Sequence, residues 1–214
     1  NLIAIERINC SNNQISDIDL SSLLNLQDFN CSNNQLSTLN VSNLIKLTSL
    51  RCSDNLLTSL DVHNLKDLIT LYCPNNLLST INVTGLNILE NLYFANNQMT
   101  NIDLSSLSNL LKLSCSSNQF TTLNTNGLVN LKELDCSHNQ LTQLDVSALS
   151  NLQKLTCNHN ALNQLTTHGL HNLYYIYCNN NELTSLDIST LNNLTELYCF
   201  ENQLNDLNVN DLSY

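Results

Sequence analysis

The sequence predicts an α/β-type repeat solenoid, mainly β, built on a parallel sheet of about ten strands. Three observations carry that expectation. Cysteines recur every 21 residues, an asparagine follows each rung by three residues, and leucine or a close relative fills the columns between.

The cysteine ladder runs Cys10, Cys31, Cys52, Cys73, Cys115, Cys136, Cys157, Cys178 and Cys199. Its single 42-residue step, from Cys73 to Cys115, is bridged by another apolar residue, Phe94. The asparagine ladder has ten unbroken rungs, from Asn13 to Asn202. Further apolar columns start at Ile15 and Ile18, and no insertion or deletion interrupts ten units. A unit reads L-x-x-L-x-x-L-x-C-x-x-N-x-L-x-x-L-[DN]-[VLI]-[ST]-x.

Within a unit, Phe29 and Cys31 alternate with Asn30, the period of a strand with one face buried. At a strand spacing of about 4.8 Å, ten units give a sheet roughly 45 Å long. A strand, a turn and a return path fit in 21 residues, whereas a full helix hardly does, so extended or 3₁₀ segments are expected on the far side. With three glycines and one proline in 214 residues, the turns must come from asparagine and serine. No unit buries its leucines alone, so residues 1–214 are expected to form a single solenoid stabilised by stacking.

Leu2 and Ile5 already occupy repeat columns, and the chain stops inside a unit at Leu212-Ser213-Tyr214. Neither end reads as a polar cap, so the expectation is a segment of a longer protein, or ends covered by a partner. A 42-residue period is laid over the shorter one. Asp19, Asp61, Asp103, Asp145 and Asp187 mark alternate units, and Gly85, Gly127 and Gly169 the others. This is the trace of a duplicated pair of units.

The segment from Leu26 through Phe29, Cys31 and Asn34 to Leu36 resembles the leucine-rich-repeat family, and the resemblance extends over all 214 residues. The short unit looks most like bacterial surface versions, the internalins and secreted Bacteroidetes repeat proteins. The mid-strand cysteine and the recurring L-D-V-S element depart from the usual internalin unit. The resemblance implies a curved, right-handed solenoid whose concave sheet is the binding face.

Eighteen acids against seven bases give a net charge of −11, which repels phosphate backbones and anionic membrane surfaces, so no nucleic-acid partner is expected. No apolar run is long enough to span a bilayer, so no membrane insertion by this segment is expected. The cysteines lack any C-x-x-C pair and read as small core hydrophobes, since in-register parallel strands present thiols poorly for disulfides. Each ladder asparagine reads as a bridge between turns, because its amide both donates and accepts.

The alternating aspartates stand about 9–10 Å apart on strand spacing, too far to share a calcium ion, and read as turn caps. His138 and His159 share a column in adjacent units and read as solvated neighbours. No nucleophile elbow, phosphate loop or H-E-x-x-H element occurs, so neither an enzyme, a metal site nor a cofactor is expected. Sequons such as those at Asn9, Asn40 and Asn193 are coincidences of an Asn-, Ser- and Thr-rich chain.

Specificity is expected where the repeat stops repeating. Two strand columns face solvent, one from Arg7 to Glu196 and one from Asn9 to Tyr198. Five of the seven tyrosines fall in them. They form two candidate binding clusters, Arg51 with Tyr72 and Tyr93, and Tyr175 with Tyr177, Tyr198 and Phe200. Exposed Tyr and Arg are the types enriched at hot spots, though neighbouring aromatics also stabilise a sheet by stacking. Lys112, Glu133, Asp135 and Lys154 lie between the clusters as a mixed-charge zone.

The expected function is a non-enzymatic binding module for a protein or peptide. A glycan platform and a structural or accessory subunit of a surface assembly are the alternatives. Acidity, few lysines and abundant Asn, Ser and Thr suit an extracellular or bacterial cell-surface protein, while nine thiols favour a reducing, cytoplasmic compartment.

Overall fold

The structure, a computed structural model, describes residues 4–209, so the expectations about Leu2 and Leu212–Tyr214 at the chain ends lie outside the described residues. Fourteen three-residue strands follow one another: β1 (Arg7–Asn9), β2 (Asp28–Asn30), β3 (Ser49–Arg51), β4 (Ser59–Asp61), β5 (Thr70–Tyr72), β6 (Thr80–Asn82), β7 (Asn91–Tyr93), β8 (Lys112–Ser114), β9 (Glu133–Asp135), β10 (Lys154–Thr156), β11 (Tyr175–Tyr177), β12 (Ser185–Asp187), β13 (Glu196–Tyr198) and β14 (Asp206–Asn208). Ten of them form one parallel sheet in the order β1-β2-β3-β5-β7-β8-β9-β10-β11-β13. Register is set by the repeat: Ile8 lies opposite Phe29, Phe29 opposite Leu50, and so on, always one unit apart. In the large sheet the middle residue of each strand points inward, and its two neighbours are the more exposed.

The ladder continues past each strand, since the Cys31 N–H donates to the Arg51 carbonyl at 2.9 Å and the Cys52 N–H to that of Tyr72 at 2.8 Å. Two residues later the backbone enters the left-handed region in every unit, at φ 59° for Asn12 through 52° for Glu201. That column also contains Asp54, Ser117, His138 and His159. One left-handed residue per unit makes the sharp turn that glycine usually makes, and Asn and Asp tolerate it best.

The asparagine ladder closes this turn. The Asn55 side-chain amide donates to the carbonyls of Cys52 and Ser53 in its own unit and to Cys31 in the preceding one. Its Oδ1 accepts the Leu36 N–H at 3.0 Å. The same set recurs at Asn76, Asn97 and Asn118. Each amide thereby ties two units together and satisfies backbone groups that water does not reach.

The expectation of an α/β-type solenoid with extended or 3₁₀ far-side segments is overturned. No helix forms among the described elements, and the chain is a β-solenoid. On the return path the backbone makes two separate turns, Leu23 N–H to Leu20 carbonyl and Leu26 N–H to Leu23 carbonyl. A 3₁₀ helix is a run of consecutive bonds of this kind, whereas these two stand three residues apart.

A second asparagine ladder runs along this path in the later units. Asn109, Asn130, Asn151, Asn172 and Asn193 each donate a side-chain amide to the carbonyl of residue 22 positions earlier, at 2.7–2.9 Å. Part of the return path is not merely turn but strand, since β4 pairs with β6 and β12 with β14.

The core is one continuous column of leucines, with Leu26, Leu47, Leu68, Leu89, Leu131 and Leu152 wholly buried. All nine cysteines are free, and seven of them are buried. Their thiols point along the stack, as Cys73 Sγ shows by donating to the Tyr93 carbonyl at 3.5 Å. Phe94 occupies the missing cysteine rung without exposure and meets Phe120 edge-on at 6.1 Å.

The alternating aspartates cap turns. Asp19, Asp103, Asp145 and Asp187 each accept the N–H of the serine two residues on, at 2.9–3.0 Å. Asparagine does the same in the other units, as at Asn40 with Ser42 and Asn124 with Asn126. The Ser21 N–H, and at the other three sites the serine hydroxyl and then its N–H, hold these carboxyls below the ordinary carboxylate range.

A pKa depressed by folding stabilises the native state above the unfolded value, about 3.9 for Asp, and that stability is lost as pH falls through the folded value. Melting temperature should therefore fall as pH drops below about 4. Replacing all four by Asn keeps the caps and should flatten that acid limb. An unchanged pH profile in the variant would show that other carboxyls set it.

Candidate functional site

The two solvent-facing columns of the large sheet vary from unit to unit. The column closer to the cysteine reads Tyr72, Tyr93, Ser114, Asp135, Thr156, Tyr177, Tyr198 over β5 to β13. Strand pairing places these residues opposite one another in register.

The structure brings most of the predicted cluster residues together. Tyr72 and Tyr93 lie with ring centroids 5.4 Å apart, tilted by 52°. Tyr177 contacts Tyr175 at 4.3 Å and meets Tyr198 edge-on at 4.2 Å. Tyr198 and Phe200 are exposed, Phe200 to 56%, and among the described residues Phe200 makes no ring contact. Burial pushes the Tyr93 hydroxyl up from its ordinary pKa, and hydrogen bonding with Tyr175 does the same to Tyr177.

Arg51 does not join its tyrosines. Its guanidinium turns to Asp28 at 3.0 Å instead of lying over Tyr72. Arg51 follows Asp28 by one unit plus two residues, so the diagonal cross-strand position was the signal that could have found this pair.

Between the aromatic clusters, Lys112 binds Glu133 at 2.9 Å, and Glu133 pushes the lysine pKa up. Lys154 reaches over the ring of Tyr174, with Nζ 5.7 Å from its centroid. Tyr174 stands just before β11 and outside the two columns, which is why the column argument missed it. A depression of about 240 Å³ opens here, lined by Tyr93, Lys112, Ser114, Asp135, Lys154 and Thr156 among others.

Charge is partitioned around this face. Four of the seven cations and four of the eighteen acids stand in the two columns, so the net charge of −11 lies entirely outside them. Low net charge with aromatic content marks the interior of protein interfaces, and a charged remainder keeps the free molecule soluble.

Other groups have structural employment. A depression of about 440 Å³ is open and lies on the return path beside Asp61 and Asp103, two of the turn caps. His138 and His159 stack face to face at 4.2 Å on the turn edge. Among the described residues, no group of three or more His, Cys, Asp or Glu side chains is placed to hold a metal ion.

Comparison with known proteins agrees with this architecture. Residues 129–169 match the family model described as Leucine Rich repeats (2 copies). No curated protein matches the sequence. The functional domain of InlJ from Listeria monocytogenes, described as including a cysteine ladder, is similar at 30% identity and a TM-score of 0.86 over 97% of this chain and 44% of that one. A leucine-rich-repeat protein of Leptospira interrogans is similar at 26% identity and 0.78, over 95% of this chain and 62% of that one. The chain thus spans less than two thirds of either. An internalin, inlF, from Listeria monocytogenes shares the fold at 20% identity and 0.64, over 96% and 81%. The chain is a leucine-rich-repeat-type solenoid related to internalin and other bacterial leucine-rich-repeat proteins.

Proposed function

We propose that this solenoid is a non-enzymatic binding module that presents its sheet face to a protein or peptide partner, outside a bacterial cell. The observation that carries the reading is the partition of the surface. The sheet face carries no net charge and holds both tyrosine clusters, while the whole of the −11 lies off it. Tyrosine supplies a large apolar face and a hydroxyl at low entropic cost, and the parallel sheet beneath holds the rings at fixed spacing. Concave sheets of this architecture are typical of protein- and peptide-binding leucine-rich-repeat proteins, and the relatives with printed sources among those compared are bacterial.

The residues assigned to binding are Tyr72, Tyr93, Tyr175, Tyr177, Tyr198 and Phe200, with Arg51 held at the border by Asp28. Replacing Tyr177 and Tyr198 together by Ser tests this. Serine occupies the same column at Ser114, within an intact strand, so the sheet tolerates it. Hot-spot aromatics are worth about 2 kcal/mol or more each, so capture of a bacterial or host surface partner should weaken by about thirtyfold if the pair acts as one contact and by about 800-fold if the two add. Far-UV circular dichroism should be unchanged. Full capture by the folded variant would move the function to the ends or the return side, as in a structural subunit.

A further inference from the structure

The column Tyr72, Tyr93, Ser114, Asp135, Thr156, Tyr177, Tyr198 reads the same in type from either end. Two tyrosines close each side, small hydroxyl residues lie inside them, and one carboxylate stands at the centre. We propose that this trough selects an extended polypeptide segment with a basic side chain, Lys or Arg, at its middle and apolar residues on both flanks. The inference rests on the binding role of the sheet face and adds what that face recognises.

Asp135 is the reason. Of the other charges nearby, Lys112 pairs with Glu133 at 2.9 Å and Arg51 with Asp28 at 3.0 Å, while Lys154 turns to the Tyr174 ring. Asp135 has no cationic partner among the described residues. Its Oδ1 accepts the Ser137 hydroxyl at 2.7 Å and the Ser137 N–H at 3.1 Å, and Oδ2 accepts the Ser114 hydroxyl at 3.3 Å. These bonds fix the carboxylate in the floor without neutralising it. A guanidinium or ammonium entering the depression of about 240 Å³ would complete a charge-assisted pair there.

The dimensions fit an extended chain. Tyr93 and Tyr177 each stand two rungs from Asp135, about 10 Å at a strand spacing of about 4.8 Å. The centres of the two tyrosine pairs are five rungs apart, about 24 Å, which an extended segment of about seven residues spans. The acidic surface outside the sheet columns favours the approach of a basic partner at long range, and Asp135 gives the attraction a fixed address.

Asp135→Asn separates charge from shape. Asn9 and Asn30 occupy the same column and cap Ser11 and Ser32 through Oδ1 at 3.0 Å, so asparagine keeps the Ser137 bond and removes the charge, with the Ser114 hydroxyl turning from donor to acceptor. A phage-displayed library of random dodecapeptides, sorted at physiological salt against the wild type and against D135N, gives the readout. Wild-type binders should carry Lys or Arg between two apolar positions. Resynthesised peptides should bind D135N about tenfold more weakly, the size of a lost charge-assisted contact.

Binders without a central basic residue, or equal affinity for both proteins, would overturn the selection by Asp135 and leave the face as a peptide-binding surface. Failure to enrich any peptide would overturn the inference too. The capture experiment with the Tyr177 and Tyr198 variant then decides separately whether the face binds anything. Enrichment on neither protein, with a neutral oligosaccharide bound by both, would point to a glycan instead.

Discussion

Raising the pH from neutral to about 10 under reducing conditions is expected to unfold the protein cooperatively, because the cysteine ladder cannot ionise in place. Burial pushes the thiols of Cys31, Cys115, Cys136, Cys157 and Cys178 above the ordinary value, Cys178 to about 12. Hydrogen bonding to Cys73, and then burial, do the same to Cys52. In the unfolded chain these thiols titrate near about 8.5.

A folded pKa raised above the unfolded one gives stability that is whole below about pH 8.5 and drains away as pH rises toward the folded value. Each such thiol costs about 1.4 kcal/mol per pH unit in that window. Six of them acting together remove about 12 kcal/mol by about pH 10, comparable with the whole stability of a typical domain. Circular dichroism against pH, with a reductant present, should show one steep transition. Cys136→Ala should make the transition shallower by roughly a sixth. A fold that persists beyond about pH 11 would mean that the thiols titrate in place.

The second large effect is expected at the asparagine ladder. Asn97→Ala removes bonds to the carbonyls of Cys73 at 3.2 Å, Phe94 at 2.9 Å and Ala95 at 3.2 Å, and leaves the Leu78 N–H without its acceptor. The Phe94 carbonyl keeps Asn118, and the Cys73 carbonyl keeps Asn76, so the orphaned amide of Leu78 dominates the loss. An unsatisfied buried amide plus the lost bonds should cost about 3–5 kcal/mol.

Asn97→Asp should cost more, since it sets a carboxylate against those same carbonyls. Asn13→Ala is the control. It donates only to Cys10 and Ser11 of its own unit and is exposed, so it should cost under about 1 kcal/mol. Urea denaturation distinguishes them. Equal midpoints for the Asn97 and Asn13 variants would mean that the amides do not hold the units together.

The strands, the core and the ladders were legible in the sequence because each is a residue type repeated for one physical reason. An inward residue between two outward ones, and an asparagine behind each rung, leave a period that chance does not produce. The left-handed column was not legible. Asn12, Asp54, Ser117, His138 and Glu201 share a backbone angle but no side-chain chemistry. The return path misled for a related reason. Leucines three apart serve equally well in a 3₁₀ helix and in successive turns, and their spacing alone does not choose between them. In the candidate site, the tyrosine clusters followed from column position. The turning of Arg51 to Asp28 and the reach of Lys154 to Tyr174 depend on side-chain rotamers that a column does not specify.

The unbroken register has a further consequence. Every interface stacks the same columns on one another, one 21-residue unit at a time. Gaining or losing a whole unit between Tyr93 and Tyr177 would shift the aromatic walls by one strand spacing, about 4.8 Å, without requiring a new interface. The trough is in effect a ruler graduated in units. Recombination between repeats can change how long a segment it spans, while point substitutions within the columns change only which segment it holds.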